Sequence, residues 1–329
     1  MALSMTAVFR CARRLAPACL VAAYACTALA QPCPSKPVRF VLPSSAGGSD
    51  DFHGRLMAQK YTELLGQQFV VDNRPGAGGL IGQQAVITAA PDGYTILLTG
   101  RSITAARFLN ANATFDPLRV YSPAAQLVTY QFVLVVHPSI KANSVSEYVA
   151  LARAQPGRIS YAAPAGGLMP YIAAAIFRGM TKVDLLHIPY KTAGQTYNDL
   201  LSGQVDSYFA PIPPALAHIN NGKLRALGVT ADTRSFVAPD VPTIAEAGVS
   251  GFEAASWLFV AAPSGTPRPI IDALNAATAR ILAMPDVLER LLKAGSTSAP
   301  SSPDEIHKRL AAAIEQFARI ARELGLKPV

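Results

Sequence analysis

The sequence predicts a two-lobed α/β protein, each lobe a doubly wound sheet, with two strands crossing between the lobes as a hinge. Three observations predict it. Short β-branched runs alternate with Ala- and Leu-rich stretches along the chain, the pattern of parallel sheets covered by helices on both faces. Half of the residues are apolar, and the roughly three hundred residues that follow an N-terminal leader exceed what one core usually serves. A long extended run from Leu127 to Val136, closed by His137-Pro138, and a later return over Ser256 to Val260 read as strands passing between two such units.

The elements follow in order. Val38 to Leu42 reads as the first strand, ended by Pro43; Asp51 to Leu65 carries apolar residues at helical spacing and stops at Gly66. Phe69 to Val71 is the second strand, Leu80 to Ala89 the second helix, and Tyr94 to Leu98 the third strand after the Pro91-Asp92-Gly93 turn. After the crossing run, a second series repeats the alternation: helix 145–154, strand 159–161, helix 171–178, strand 185–188, helix 195–201, and strands 205–209 and 224–229. Helices 269–284 and 303–324 end the chain and are expected to pack on the first lobe. That lobe would comprise 31–130 plus 254–329, and the second 131–253.

The first thirty residues read as a secretory leader. Arg10, Arg13 and Arg14 precede an apolar run that ends in Ala28-Leu29-Ala30, a small-x-small cleavage site. The run is too short and too interrupted by Pro17 for a membrane span. Lipidation at Cys26 is the lesser alternative, because Tyr24 is bulky where such sites want small residues. Cleavage after Ala30 leaves Cys33 as the sole cysteine, so no internal disulfide forms. It also takes the formal charge from +8 to +5 by removing those three arginines. The remaining basic residues are scattered, which disfavours a nucleic-acid partner, and a mild positive field favours anionic solutes. The expected product is a periplasmic monomer.

The most informative stretch is the Gly/Ser loop from Pro43 to Asp51, which joins the first strand to the first helix. Ligands of open α/β sheets bind outside the carboxyl ends of the strands. Backbone N–H groups over Ser44, Ser45, Ala46, Gly47, Gly48 and Ser49 and the start of the helix make an anion cradle, each charge-assisted bond worth roughly 1.5–3 kcal/mol. An ordinary turn with Asp50 or Asp51 as N-cap accounts for the loop equally well. The glycines of Asn73 to Gly82 fail the dinucleotide fingerprint, because its third position falls on Ile81. The five histidines are widely separated, and no nucleophile elbow, metal-ligand cluster or cofactor motif is present.

Ordered motifs carry a resemblance: Pro43 to Asp51, Val71 to Gly79, Ala90 to Thr95, His187 to Lys191, Asp199 to Asp206 and Val241 to Gly248. With these the chain resembles the Bug family, the substrate-binding proteins of tripartite tricarboxylate transporters, over nearly all of its length after the leader. The resemblance implies a periplasmic-binding-protein type II-like fold whose lobes close on a small carboxylate. It implies that the carboxylate is held by Ser45 to Asp51 and by Thr99, Gly100, Arg101 and Ser102, with a second-lobe loop at Ala165, Gly166, Gly167, Leu168 and Met169. The chain departs from the family at Ser44, where an aromatic residue is usual, at Leu168, Met169 and Pro170, where hydroxyl residues are usual, and at Ala210, where an acid is common. Arg101 is a candidate to compensate by gripping a carboxylate bidentately, or else is a solvent-exposed arginine. An apolar or aromatic ligand body against Leu168, Met169 and Tyr171 is a further expectation, and a membrane permease or a sensor domain the expected partner. The alternative is an exported enzyme on the same scaffold.

Overall fold

A computed structural model describes residues 34–164, 168–190 and 192–328. Residues 1–33, which include the expected leader, Cys26 and Cys33, lie outside the described residues, as do the candidate residues Ala165, Gly166 and Gly167, and Lys191. From Lys36 on, the chain forms one compact unit built on two sheets.

The first sheet contains β1 (Val38–Leu42), β2 (Phe69–Asn73), β3 (Thr95–Gly100), β4 (Tyr121–Tyr130), β10 (Ser256–Pro263) and β11 (Ser296–Ser298), in the order β11-β4-β10-β3-β1-β2. β1 runs parallel to β2 and β3, whereas β10 is antiparallel to both β3 and β4. Side chains alternate across this sheet as a pleated strand requires. Phe40 and Leu42 enter the core beneath α1 (Ser49–Leu65) and α7 (Arg268–Leu282), while Val41 faces the opposite core with Leu97, Trp257 and Phe259. That opposite core is covered by α2 (Leu80–Ile87) through Val86 and by α9 (Pro303–Glu323) through Ile306, Leu310 and Ile314. α9 starts at a capping box, with Ser302 and Glu305 satisfying each other's backbone N–H groups.

The second sheet holds β5 (Phe132–Val136), β6 (Ser160–Pro164), β7 (Leu186–Tyr190), β8 (Ser207–Pro211) and β9 (Arg225–Val229), in the order β7-β6-β8-β5-β9. One face packs under α3 (Val145–Ala154) and α4 (Met169–Thr181), the other under α5 (Ala193–Leu201) and α6 (Ile212–Asn220). α8 (Pro285–Lys293) follows α7 after a break at Ala283-Met284.

Two differences from the sequence reading bear on the site. The run from Leu127 to Val136 is not one strand: β4 and β5 belong to different sheets and are separated by Gln131 alone. The crossing is fixed by Thr230, which exchanges backbone and side-chain hydrogen bonds with Phe132 and accepts from the Ala254 amide of the returning segment. The second difference is α9, which does not stay on the first sheet. Its Phe317, Ile320 and Ala321 join the core of the second sheet, and Glu323 pairs with Lys182 at the end of α4 at 2.7 Å.

Candidate functional site

Strand register places the carboxyl edges of both sheets beside the crossing. Gly100, the last residue of β3, lies opposite Leu258, two residues from Ser256, which pairs with Tyr130. Pro211, the last residue of β8, lies opposite Phe132. The loops after β1 and β3 in one lobe and the end of β8 in the other therefore lie beside Tyr130 to Phe132, where ligands of open α/β sheets are expected.

The loop after β1 turns at Gly47, whose positive φ of 82° favours glycine. The N-cap of α1 is Gly48, not Asp50 or Asp51, and no side chain caps the helix. Its first amides, from Ser49, Asp50 and Asp51, are therefore left without a side-chain acceptor at the positive end of a 17-residue helix. Ser45 to Ser49 are exposed.

Asp51 has a different role from the one expected. It is buried, and its carboxylate accepts from the Gly47 amide at 2.9 Å, from Asn73 Nδ2 at 2.9 Å and from Arg55 Nε at 2.9 Å. Burial alone would raise this carboxyl, but the bonds from Arg55, Gly47 and Asn73 outweigh it and hold it below the usual range. Asn73 also donates to the Ser44 carbonyl at 3.2 Å. Asp51 thus braces the loop and withdraws the Gly47 amide from any ligand.

Asp50, the other residue the sequence offered as N-cap, instead bonds to the crossing. Tyr130 donates to its carboxyl at 3.3 Å, and burial pushes that carboxyl up to about 6, the Tyr130 bond offsetting only part of the shift. The His53 ring stacks on Tyr130 with centroids 6.0 Å apart. His53 is buried and held neutral by desolvation, its pKa depressed to about 4. Its Nδ1–H donates to the Ser49 carbonyl at 2.7 Å, so Nε2 accepts from Ser296 Oγ at 2.9 Å.

Thr99 and Ser44 carry the clearest sign of a ligand site. Ser44 Oγ and Thr99 Oγ1 are shielded from solvent and have no hydrogen-bond partner among the described residues, and neither does Gln131 Oε1 at the crossing. Such groups are costly unless something satisfies them. Ser102 is half-buried in the single turn that follows β3.

Arg101 neither lies in solvent nor offers a free fork to a carboxylate. It is 4% exposed, and its guanidinium donates to Glu253 Oε2 at 2.8 Å, the Ala255 carbonyl at 2.9 Å and Gln316 Oε1 at 2.6 Å. In the second lobe Leu168 is 36% exposed at the N-cap of α4, and Met169 is buried. Ala210 is fully buried opposite Val133, so its methyl belongs to the core and not to a ligand surface. α6 opens with Pro213 and Pro214, which supply no amide hydrogens to an anion. Among the described residues, the donors at these edges come from the first lobe, and the second contributes the exposed Leu168.

Two surface cavities lie away from these edges. One of about 350 Å³ is lined by Ser146, Arg153, Met180 and Gly248, and one of about 310 Å³ by Gln126, Asn275, Ser301 and Glu305. Among the described residues no cluster of His, Cys, Asp and Glu has the makings of a metal site, and no helix is long and apolar enough to cross a membrane.

An α/β chain with two sheets, two crossings and converging carboxyl edges is a periplasmic-binding-protein type II-like fold. Residues 54–326 match the model of the tripartite tricarboxylate transporter family receptor, and the chain belongs to that family. It is 35% identical to protein BugT of Bordetella pertussis over 89% of this chain and 91% of the relative. Among solved structures it is similar to Rpa4515 of R. palustris with adipate, at 31% identity and a TM-score of 0.81, over 90% of this chain and 100% of that one. It is also similar to MatC of Rhodopseudomonas palustris with bound malate, at 29% identity and a TM-score of 0.78, over 88% and 99%.

Proposed function

We propose that this chain is an exported receptor that seats a carboxylate of a small solute on the loops after β1 and β3, and presents the solute-bound form to a membrane permease. The single observation that carries the location is the pairing of an uncapped α1 N-terminus with two unpartnered hydroxyls, Ser44 Oγ and Thr99 Oγ1, at the carboxyl edge. A carboxylate fits both features, because it accepts from helix amides and from hydroxyl groups. Adipate and malate on the similar proteins support a small carboxylate as the solute. The leader read in the sequence supports export, and membership of a transporter receptor family supports a permease as the partner.

The second lobe sets selectivity. Leu168 is exposed at the N-terminus of α4, and no side chain caps that helix. A solute with an apolar body beyond its first carboxylate therefore fits better than one with hydroxyls at that end. No chemical step is required of any residue here. The test is calorimetric titration with malate, adipate and an aromatic carboxylate, with mass spectrometry of the recovered solute. Unchanged solute with saturable binding, abolished by Ser45→Trp, supports the reading. Wild-type affinity in Ser45→Trp would place the site elsewhere, and a converted solute would make the protein an enzyme.

A further inference from the structure

The geometry points to Arg101 as a positioning residue that couples the ligand loop to the orientation of the lobes; this rests on the receptor reading above. Arg101 begins the turn that follows β3, one residue after Gly100 and two after Thr99, so its backbone is part of the carboxyl edge. Its guanidinium reaches two segments that pass between the lobes.

Glu253 and Ala255 belong to the first of these, the returning segment. Phe252 and Ala254 are buried in the core of the second sheet, and the Ala254 amide is bound to Thr230; two residues later, at Ser256, the chain is in β10 of the first sheet. Glu253 folds back so that its Oε1 accepts from the Ala255 amide at 3.1 Å while its Oε2 takes Arg101. α9 is the second segment. Ile314 packs in the first sheet's core and Phe317 in the second's, and Gln316 sits between them, at the point where the helix changes lobes. The ring of Phe108, which follows the same turn as Arg101, lies 5.8 Å from that of Phe317.

One planar cation, anchored in the first lobe, thus holds both the hinge strand and the bridging helix. A rotation of the second lobe moves Glu253 or Gln316 relative to Arg101, and at least one of these bonds must lengthen. Arg suits this task better than Lys, because its fixed fork satisfies several acceptors in different directions. The clamp selects the lobe arrangement seen here, in which both carboxyl edges meet the crossing. A receptor already in its binding arrangement binds more tightly than one that samples it only part of the time, since the apparent Kd is the intrinsic Kd divided by the competent fraction. Sequence separations of 152 and 215 residues kept these partners out of reach of motif reading.

The test compares the wild-type chain with Gln316→Ala, Glu253→Gln, Arg101→Lys and Arg101→Met, using small-angle scattering with and without saturating adipate or malate, and stopped-flow binding. Without solute, the variants are expected to show a larger radius of gyration than the wild type. Kd should rise roughly tenfold in Arg101→Met, with the loss in the association rate and Arg101→Lys rescuing it only in part. Saturating solute should return each variant to the wild-type radius. Gln316→Ala and Glu253→Gln keep the test open if the Arg101 variants fail to fold. Wild-type radius and wild-type association rate in both would overturn the clamp. A lowered affinity with an unchanged radius would also overturn it, by making Arg101 a direct or purely structural contributor. If the wild type binds neither solute, the radii measured without solute decide the clamp separately from the receptor reading: larger radii in the variants support it, and wild-type radii overturn it.

Discussion

The Tyr130 hydroxyl donates to the Asp50 carboxyl at 3.3 Å, joining the last residue of β4 to the first turn of α1 across 80 residues of sequence. This bond lies where the hinge meets the candidate loop, and it ties two titrations to the same corner: Asp50, raised to about 6, and His53, lowered to about 4.

Their signs are opposite. A carboxyl raised from 3.8 to about 6 contributes stability that is present at low pH and is lost as pH rises through 6. A histidine depressed from 6.5 to about 4 contributes stability that is present above 6.5 and is lost as pH falls through 4. Between these values the two slopes oppose, so wild-type stability should be nearly flat from pH 4.5 to 6. Asp50→Asn removes one slope and leaves stability rising with pH by on the order of 2 kcal/mol across that window. Urea midpoints at a series of pH values measure it; parallel profiles for variant and wild type would contradict the assignment.

Asp51 is a brace, so Asp51→Ala should cost stability as well as affinity. It leaves Arg55, Asn73 and the Gly47 amide without their shared acceptor. Loss of charge-assisted hydrogen bonds of this kind is worth about 2 kcal/mol. Thermal melting gives the stability, and solute titration should show weaker binding even at temperatures where the variant is fully folded. An unchanged melting temperature would mean that the loop holds its shape without the carboxylate.

Gly100→Ala tests how closely β3 approaches β10 at the carboxyl edge. A methyl on this residue would meet the Trp257 carbonyl and the Leu258 side chain. Shifting backbone at that point is expected to cost about 1–3 kcal/mol and to misplace Thr99 and Arg101 on either side. Chemical denaturation reads the first effect, and association kinetics with adipate read the second.

Much of this fold was legible in the sequence because its signals are local. The β-branched runs at Val38–Leu42 and Phe69–Val71, the glycine after Leu65 and the alternation that follows all mark elements by their neighbours. α6 was invisible for the opposite reason: Pro213 and Pro214 look like a loop, yet they occupy the first turn of a helix, where the missing N–H groups cost little. The crossing was misread because Leu127 to Val136 is apolar almost throughout, and only Gln131 marks where one sheet ends and another begins. The loop from Ser44 to Ser49 could be located by its composition and place. The roles of Asp50, Asp51 and Arg101 could not, because each depends on partners brought together by the tertiary fold, such as Tyr130, Asn73 and Gln316.

Leu168→Asn tests the selectivity assigned to the second lobe. Leu168 is exposed at the start of α4, and an amide there replaces apolar surface with hydrogen-bonding groups. Relative affinity should shift toward malate and away from adipate by roughly tenfold, the scale of one misplaced methylene or polar contact. Competition titration measures it, and an unchanged ratio would remove Leu168 from the site.

A crystal structure of this chain with a bound dicarboxylate decides where the solute sits. One carboxylate should lie within hydrogen-bond distance of the first amides of α1, Ser44 Oγ and Thr99 Oγ1. A well-ordered solute held elsewhere, with those hydroxyls turned onto the protein's own groups, would contradict it.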